Sequence, residues 1–180
     1  VTVDVVPERL GILLHDLPTQ DEREVVVTAI DGCQQTNRRV ADPWLALALL
    51  RLEADAGAPA GMLLAAWCRE ASMRTVSAST GGPIHGDVLD GVARAVGPMQ
   101  MHGWWVRWCG WDRDRRADLL DSATCYLRRI VDQLDEAESE CGAGDAAWRV
   151  AEALAANAPR YASHGCDARS EHWRILESWR

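Results

Sequence analysis

Apolar residues recur along this chain at three- and four-residue intervals, the spacing of helices that turn one face to a core. No stretch alternates cleanly between apolar and polar for more than a few positions; Val1 to Val6 does so briefly and then meets Pro7. The pattern predicts an all-α, helical domain. A first helix covers about Gln20 to Gln34, with Asp21 and Glu22 at its positive end. Asp42 followed by Pro43 is an N-cap with proline in the first helical position, opening a helix through Trp44, Leu47, Leu49 and Leu52 that stops near Gly57. Pro59 starts another, which runs to about Met73. From Arg74 to Val96 the periodicity breaks into Ser, Thr, Gly and Pro, with room for a short helix from Asp87 to Ala95. After Trp104, Trp105, Trp108 and Trp111 the longest helix begins at Asp112 and ends before Gly142-Ala143-Gly144. Asp145 opens a helix that gives way at Pro159, and Ser170 caps the last one, whose buried side carries Trp173 and Leu176.

A length of 180 residues fits one domain. Its expected organisation is a helical extension over residues 1–41, a core over 42–165 and a C-terminal helix over 166–180. No run of 18 apolar residues is present, so no helical membrane span is expected. With 19 Arg and Lys against 27 Asp and Glu the net charge is -8, which argues against nucleic acid as a partner, because such binders present a basic surface to phosphates. Nine Trp and no Phe leave two roles for the indoles, core filling or stacking on sugar rings, and core filling is favoured. In the cluster after Gln100, Trp104 and Trp108 at helical spacing are expected in the core. Six cysteines lack any Cys-x-x-Cys, which removes the usual structural zinc and redox motifs. Cys166 with His164 and His172 offers a loose metal-ligand set, though the expectation is no metal and no cofactor. Pairing of the cysteines stays open.

One side chain stands out on a helical wheel. Leu63, Ala66, Trp67, Glu70 and Met73 share one face of the helix that follows Pro59. A carboxylate inside an apolar stripe loses hydration, and unless paired its pKa rises toward the range a general acid needs. The structural alternative is that Arg69 or Arg74 neutralises it.

The stretch Leu63-Leu64-Ala65-Ala66-Trp67-Cys68-Arg69-Glu70-Ala71-Ser72-Met73, followed by Ala95-Val96-Gly97-Pro98-Met99-Gln100-Met101, resembles the catalytic domain of bacterial soluble lytic transglycosylases, which share the lysozyme-like fold. The family pattern is a Glu-Ser pair ending an apolar helix, then Gly-Leu-Met-Gln, then Ala-Tyr-Asn. Glu53 to Pro59 looks like the family's lead-in, and Ala155-Ala156-Asn157 like its third motif, so the resemblance spans roughly Trp44 to Tyr161. Ala71 stands where the family has Ser, with Ser72 next to it; Pro98 replaces Leu, and Ala156 replaces Tyr, for which Tyr161 and Tyr126 are candidate stand-ins.

The resemblance implies cleavage of the β-1,4 bond between N-acetylmuramic acid and N-acetylglucosamine in peptidoglycan glycan strands. Glu70 would be the lone acid and base, with Ser72, Gly97, Met99, Gln100, Asn157 and Tyr161 binding substrate; Gly97 would let backbone approach the glycan. His85 and Asp87, in the insertion between the first two motifs, are candidates for a flap or a second polar group, against the plainer expectation of turn residues facing solvent. The expected setting is periplasmic, extracellular or virion-associated, with the export segment absent from this chain. A non-catalytic domain binding glycan or a partner protein, and a hydrolase of chitin-like glycans, are the alternative readings.

Overall fold

The Asp42-Pro43 signal does what the sequence predicts: the Asp42 carboxylate accepts a hydrogen bond from Trp44 N at 2.9 Å and opens a helix over Pro43–Asp55. In the computed structural model, which describes residues 13–34 and 41–180 apart from the side chains of Gln34, Asp87 and 157–163, this helix is α2 and follows α1, Gln20–Gln34. Helix α3 is Met62–Ala71, α4 is Trp104–Trp108, α5 is Leu119–Cys141, α6 is Asp145–Tyr161 and α7 is Glu171–Trp179, with a 3-10 turn over Ala162–Asp167. The longest helix starts at Leu119, where the Asp118 side chain accepts from Asp121 N, rather than at Asp112. Helix α6 continues through Pro159 to Tyr161; the proline lies close to the helix end, where its missing N–H removes little of the backbone ladder.

The all-α expectation is wrong. Between α3 and α4 the chain forms a three-stranded antiparallel sheet, β1 His85–Leu89, β2 Val92–Val96 and β3 Met101–His102, in the order β1-β2-β3. The segment Asp87 to Ala95 is therefore a hairpin and not a short helix. The local reason is chemical. Asp90 and Gly91, at φ 50° and 77°, take the two left-handed positions of a two-residue turn, and Leu89 pairs with Val92 across it. Val88, Val92 and Val96 favour extended backbone on either side. Apolar residues at Val88, Leu89 and Val92 are exposed near the hairpin tip, so their spacing reports turn geometry and not a buried face.

Helices α5 and α6, joined by the three residues 142–144, pack against each other, while α3 packs on α7. The core contains Leu49, Leu63, Leu64, Trp67, Ile130, Trp148 and Trp173. Trp105 is also buried, but Trp104 is 50% exposed, contrary to the expectation that it fills the core. All six cysteines pair, as Cys33–Cys68, Cys109–Cys125 and Cys141–Cys166. These bridges tie α1 to α3, the end of α4 to α5, and the end of α5 to the 3-10 turn. Each closes a loop for which chain entropy alone supplies about 3–4 kcal/mol of stabilisation. Oxidising compartments maintain bonds of this kind. Among the described residues no helix is long and apolar enough to cross a membrane.

Helix α3 has no N-cap side chain of its own, since Gly61 occupies that position at φ 91°. Its orphan donors are met from α2. Glu53, fully buried, accepts from Gly61 N at 2.6 Å and from Leu63 N. Burial pushes the Glu53 pKa up to about 8, against the opposing pull of these backbone N–H groups. Glu53→Ala should leave those donors buried and unmet, lowering the unfolding free energy by about 2–4 kcal/mol in urea titrations. Glu53→Gln, which keeps one acceptor, should lose less.

Candidate functional site

Glu70 occupies the last turn of α3, and the helix stops at the next residue, Ala71, because Ser72 and Met73 adopt left-handed backbone, at φ 51° and 55°. The fully buried Trp67 fixes this end by donating its indole N–H to Arg74 O at 2.9 Å. Glu70 thus reaches the surface of the core at a defined place, with 30% of its side chain exposed. Its partner is neither Arg69 nor Arg74; the Arg74 guanidinium donates to Ala71 O at 3.0 Å. Glu70 Oε1 instead lies 2.7 Å from His172 Nε2.

His172 sits in the first turn of α7, delivered there by the Ser170 cap, whose hydroxyl accepts from Trp173 N at 3.0 Å. Its other ring nitrogen, Nδ1, is 2.7 Å from Oε1 of Glu152 in α6. Glu152 is fully buried, and three side chains meet it. Tyr126 OH, from α5, donates to Oε1 at 2.5 Å, the Ser170 hydroxyl donates to Oε2, and His172 takes the remaining direction. Four helices therefore converge on one chain of contacts, Glu152 to His172 to Glu70.

The charges in this chain follow from burial and partners. Burial disfavours the imidazolium, but the hydrogen bonds and negative charges of Glu152 and Glu70 outweigh it and raise the His172 pKa to about 9. Burial likewise pushes Glu152 upward, and the His172 charge together with the hydrogen bonds from His172, Ser170 and Tyr126 overcomes it, leaving the carboxyl below its ordinary value. At neutral pH His172 is thus a cation that donates from Nδ1 to Glu152 and from Nε2 to Glu70. Glu70 Oε2 has no hydrogen bond among the described residues and is left for whatever enters the cleft.

That cleft has a volume of about 600 Å³. Glu70 and His172 form one part of its wall; Met99, Gln100, Met101 and His102 another; Trp104, Trp105, Tyr126 and Arg129 a third, with Ala155 and Ala156 closing it. The second motif is shaped by backbone constraints. Gln100, at φ 47°, turns its side-chain amide back to donate to Gly97 O at 2.8 Å. A Cβ at Gly86 would lie 1.9 Å from Gln100 Oε1, so a larger residue on β1 would displace the Gln100 side chain from its place.

Of the residues the sequence nominated, the structure brings Glu70, Met99 and Gln100 to the cleft and does not bring Gly97. Gly97 is buried at φ 83°, with a Cβ there falling 1.7 Å from Arg116 O, so its role is close packing against the loop before α5 and not approach to a ligand. Ser72 forms the C-cap of α3 and is absent from the cleft wall. Asn157 and Tyr161 lie on α6, with side chains outside the described residues. Tyr126 does line the cleft, but its hydroxyl is directed to Glu152 and lies 3.2 Å from His172 Nδ1. His85 is exposed on β1 and is not in the wall, and the Asp87 side chain is outside the described residues. Cys166 is taken up by its bridge to Cys141 and His172 by the two glutamates, so the loose metal-ligand set is dispersed.

Sequence reading missed Glu152, and named His172 only as a member of a loose metal-ligand set. Glu152 had the same signal as Glu70: Trp148 and Ala155 lie four residues before and three after it, placing it on the apolar face of α6. His172 carried no such sign.

A histidine whose folded pKa is raised to about 9 from 6.5 stabilises the fold fully below pH 6.5, and loses that contribution as pH rises through 9. Urea titrations from pH 6 to 10 should show stability falling over this window, with His172 responsible for about 2–3 kcal/mol of the fall. Glu53, raised to about 8, adds a fall of the same sign between pH 4.5 and 8. His172→Gln should keep the Glu53 component and lose the drop above pH 8; an unchanged profile in that variant would contradict the charged state of His172.

No family model, curated protein or solved structure matches the chain, and the functional reading rests on the side chains of the cleft.

Proposed function

We propose that the protein cleaves the β-1,4 bond between N-acetylmuramic acid and N-acetylglucosamine in peptidoglycan, with Glu70 as the single acid and base. The observation that carries this reading is a partly exposed carboxyl, fixed by His172 on one oxygen and open to a cleft of about 600 Å³ on the other. Glu70 is the only carboxylate in the wall of that cleft among the described residues. A site with one carboxylate suits schemes in which the substrate supplies the second group, through its acetamide or its 6-hydroxyl, an exception to the usual pair. The match of Glu70, Met99 and Gln100 to the lytic transglycosylase motifs points the same way.

In this mechanism Glu70, open to solvent in the cleft, takes up a proton on Oε2, and that proton passes to the glycosidic oxygen as the C–O bond breaks. The carboxylate that results is stabilised at once by the His172 N–H on Oε1, which is where the charge-assisted hydrogen bond has its largest effect. Glu152 holds the imidazolium in place and keeps it charged. Glu70 then removes a proton from the attacking hydroxyl. If that hydroxyl is the muramoyl 6-OH, the product is a 1,6-anhydro sugar; if it is water, the product is a free reducing end. The half-exposed indole of Trp104 lies in the wall of the same cleft and offers apolar contact to a sugar ring. Three disulfides suit work outside the cytoplasm, in a periplasmic, extracellular or virion-associated setting where this substrate lies.

Purified protein incubated with peptidoglycan should release muropeptides, and their masses distinguish the two attacking groups, since anhydro products are lighter by one water. Glu70→Gln should reduce release by about 10²–10⁴-fold while leaving the helical circular dichroism intact. Binding without release by the wild type would identify a non-catalytic glycan-binding domain and sink the enzyme reading. Cleavage of chitin-like chains with none of peptidoglycan would move the substrate class.

A further inference from the structure

Arg129 presents an unusual situation for a guanidinium. It projects from α5 one turn after Tyr126 and lies over three indoles, 5.0 Å from the ring centre of Trp104, 5.5 Å from Trp105 and 5.2 Å from Trp108. Trp104 and Trp105 are themselves stacked, with centroids 4.5 Å apart. These contacts fix the cation through the faces of aromatic rings. They leave its N–H edge unused: Nε is buried with no hydrogen-bond partner, and Arg129 forms no ion pair or side-chain hydrogen bond among the described residues. Acidic residues outnumber basic ones by 27 to 19 in this chain, so a guanidinium without one in a cleft wall is not explained by scarcity of partners.

We propose that Arg129 is a subsite for a carboxylate carried by the glycan that Glu70 acts on. This rests on the cleavage reading above and narrows it. Arg129 and Glu70 line the same cleft, with His102 and Trp104 in its wall between the motifs that supply them. A planar guanidinium presents paired donors that match the two oxygens of a carboxylate, a geometry that lysine does not reproduce. A neutral glycan cannot use such donors. A glycan of muramic acid can, either through the carboxylate of the lactyl ether where no peptide is attached, or through carboxylates of the attached peptide. With a cation here, the cleft selects acid-bearing amino-sugar chains over neutral chitin-like ones.

The test measures binding, in a Glu70→Gln background that prevents turnover. Tryptophan fluorescence titrations would compare three probes: chitotetraose, a peptide-free oligomer of alternating N-acetylglucosamine and N-acetylmuramic acid, and the same oligomer bearing its peptides. Adding Arg129→Gln should weaken binding of at least one acid-bearing oligomer by about 10–100-fold and leave chitotetraose within about twofold. Loss on the peptide-free oligomer assigns the lactyl carboxylate, and loss confined to the peptide-bearing one assigns the peptide. Arg129→Lys should restore part of the affinity. Equal weakening on all three probes would mean that Arg129 only supports the indoles, and no weakening on any would mean that it binds nothing; either result overturns the subsite. The cleavage reading fails separately, through peptidoglycan release that persists in Glu70→Gln.

Discussion

A carboxylate with no exposure to solvent, Glu152, is tolerable in this core only because a cation and two hydroxyls meet it. That requirement organises much of the molecule. It draws Tyr126 from α5, Ser170 from the cap of α7 and His172 from the first turn of α7 to one point on α6. His172, held there as a cation, then has a second N–H directed outward, and Glu70 at the end of α3 receives it. The Glu70 carboxyl is therefore positioned by a buried charge it does not touch. Removing His172 would leave the buried Glu152 without its cation, whereas removing Glu70 leaves the Glu152–His172 pair in place.

Two further constraints hold the elements that carry this chain. Glu53 reaches from α2 to satisfy the open N-terminus of α3, so a buried acid fixes the helix at one end while Trp67 fixes it at the other through Arg74 O. The disulfides act at the same joints. Cys33–Cys68 binds α3 two residues before Glu70, and Cys141–Cys166 binds the end of α5 to the turn that leads into α7. On the opposite wall the sheet is held by Arg116, which donates to Arg94 O at 3.2 Å and to Met101 O at 3.0 Å, and against which Gly97 is packed. The cleft is formed between a helical wall and a strand-and-turn wall, each pinned independently. Walls pinned in this way hold the Glu70 carboxyl and the Arg129 guanidinium in one cleft.

The local signals in the sequence were sound where chemistry is local. Asp42-Pro43 and Ser170 act as caps, and Glu70 does lie on a face shared with Leu63, Ala66 and Trp67, whereas the cap of the longest helix is Asp118 and not Asp112. The hairpin was equally local and could have been found: Asp90-Gly91 between valines is a turn signal that helical periodicity around it obscured. Trp104 was assigned to the core from spacing, yet a five-residue helix is too short for spacing to define one buried face, and Trp105 points inward instead.

What the sequence determined by itself was most of the long helices, the caps at Asp42 and Ser170 and one carboxylate on an apolar stripe, because each depends on neighbours within a turn or two. Only the tertiary structure decided what that carboxylate meets. His172 lies 102 residues from Glu70 and 20 from Glu152, and no local pattern encodes contacts over such distances. Desolvation and the charge of Glu152 set the state of His172, and both arise only when four helices close around it. The cation on the indoles has the same origin: Arg129 and the tryptophans belong to different helices, and an unpaired N–H edge in a cleft is a property of the packed molecule.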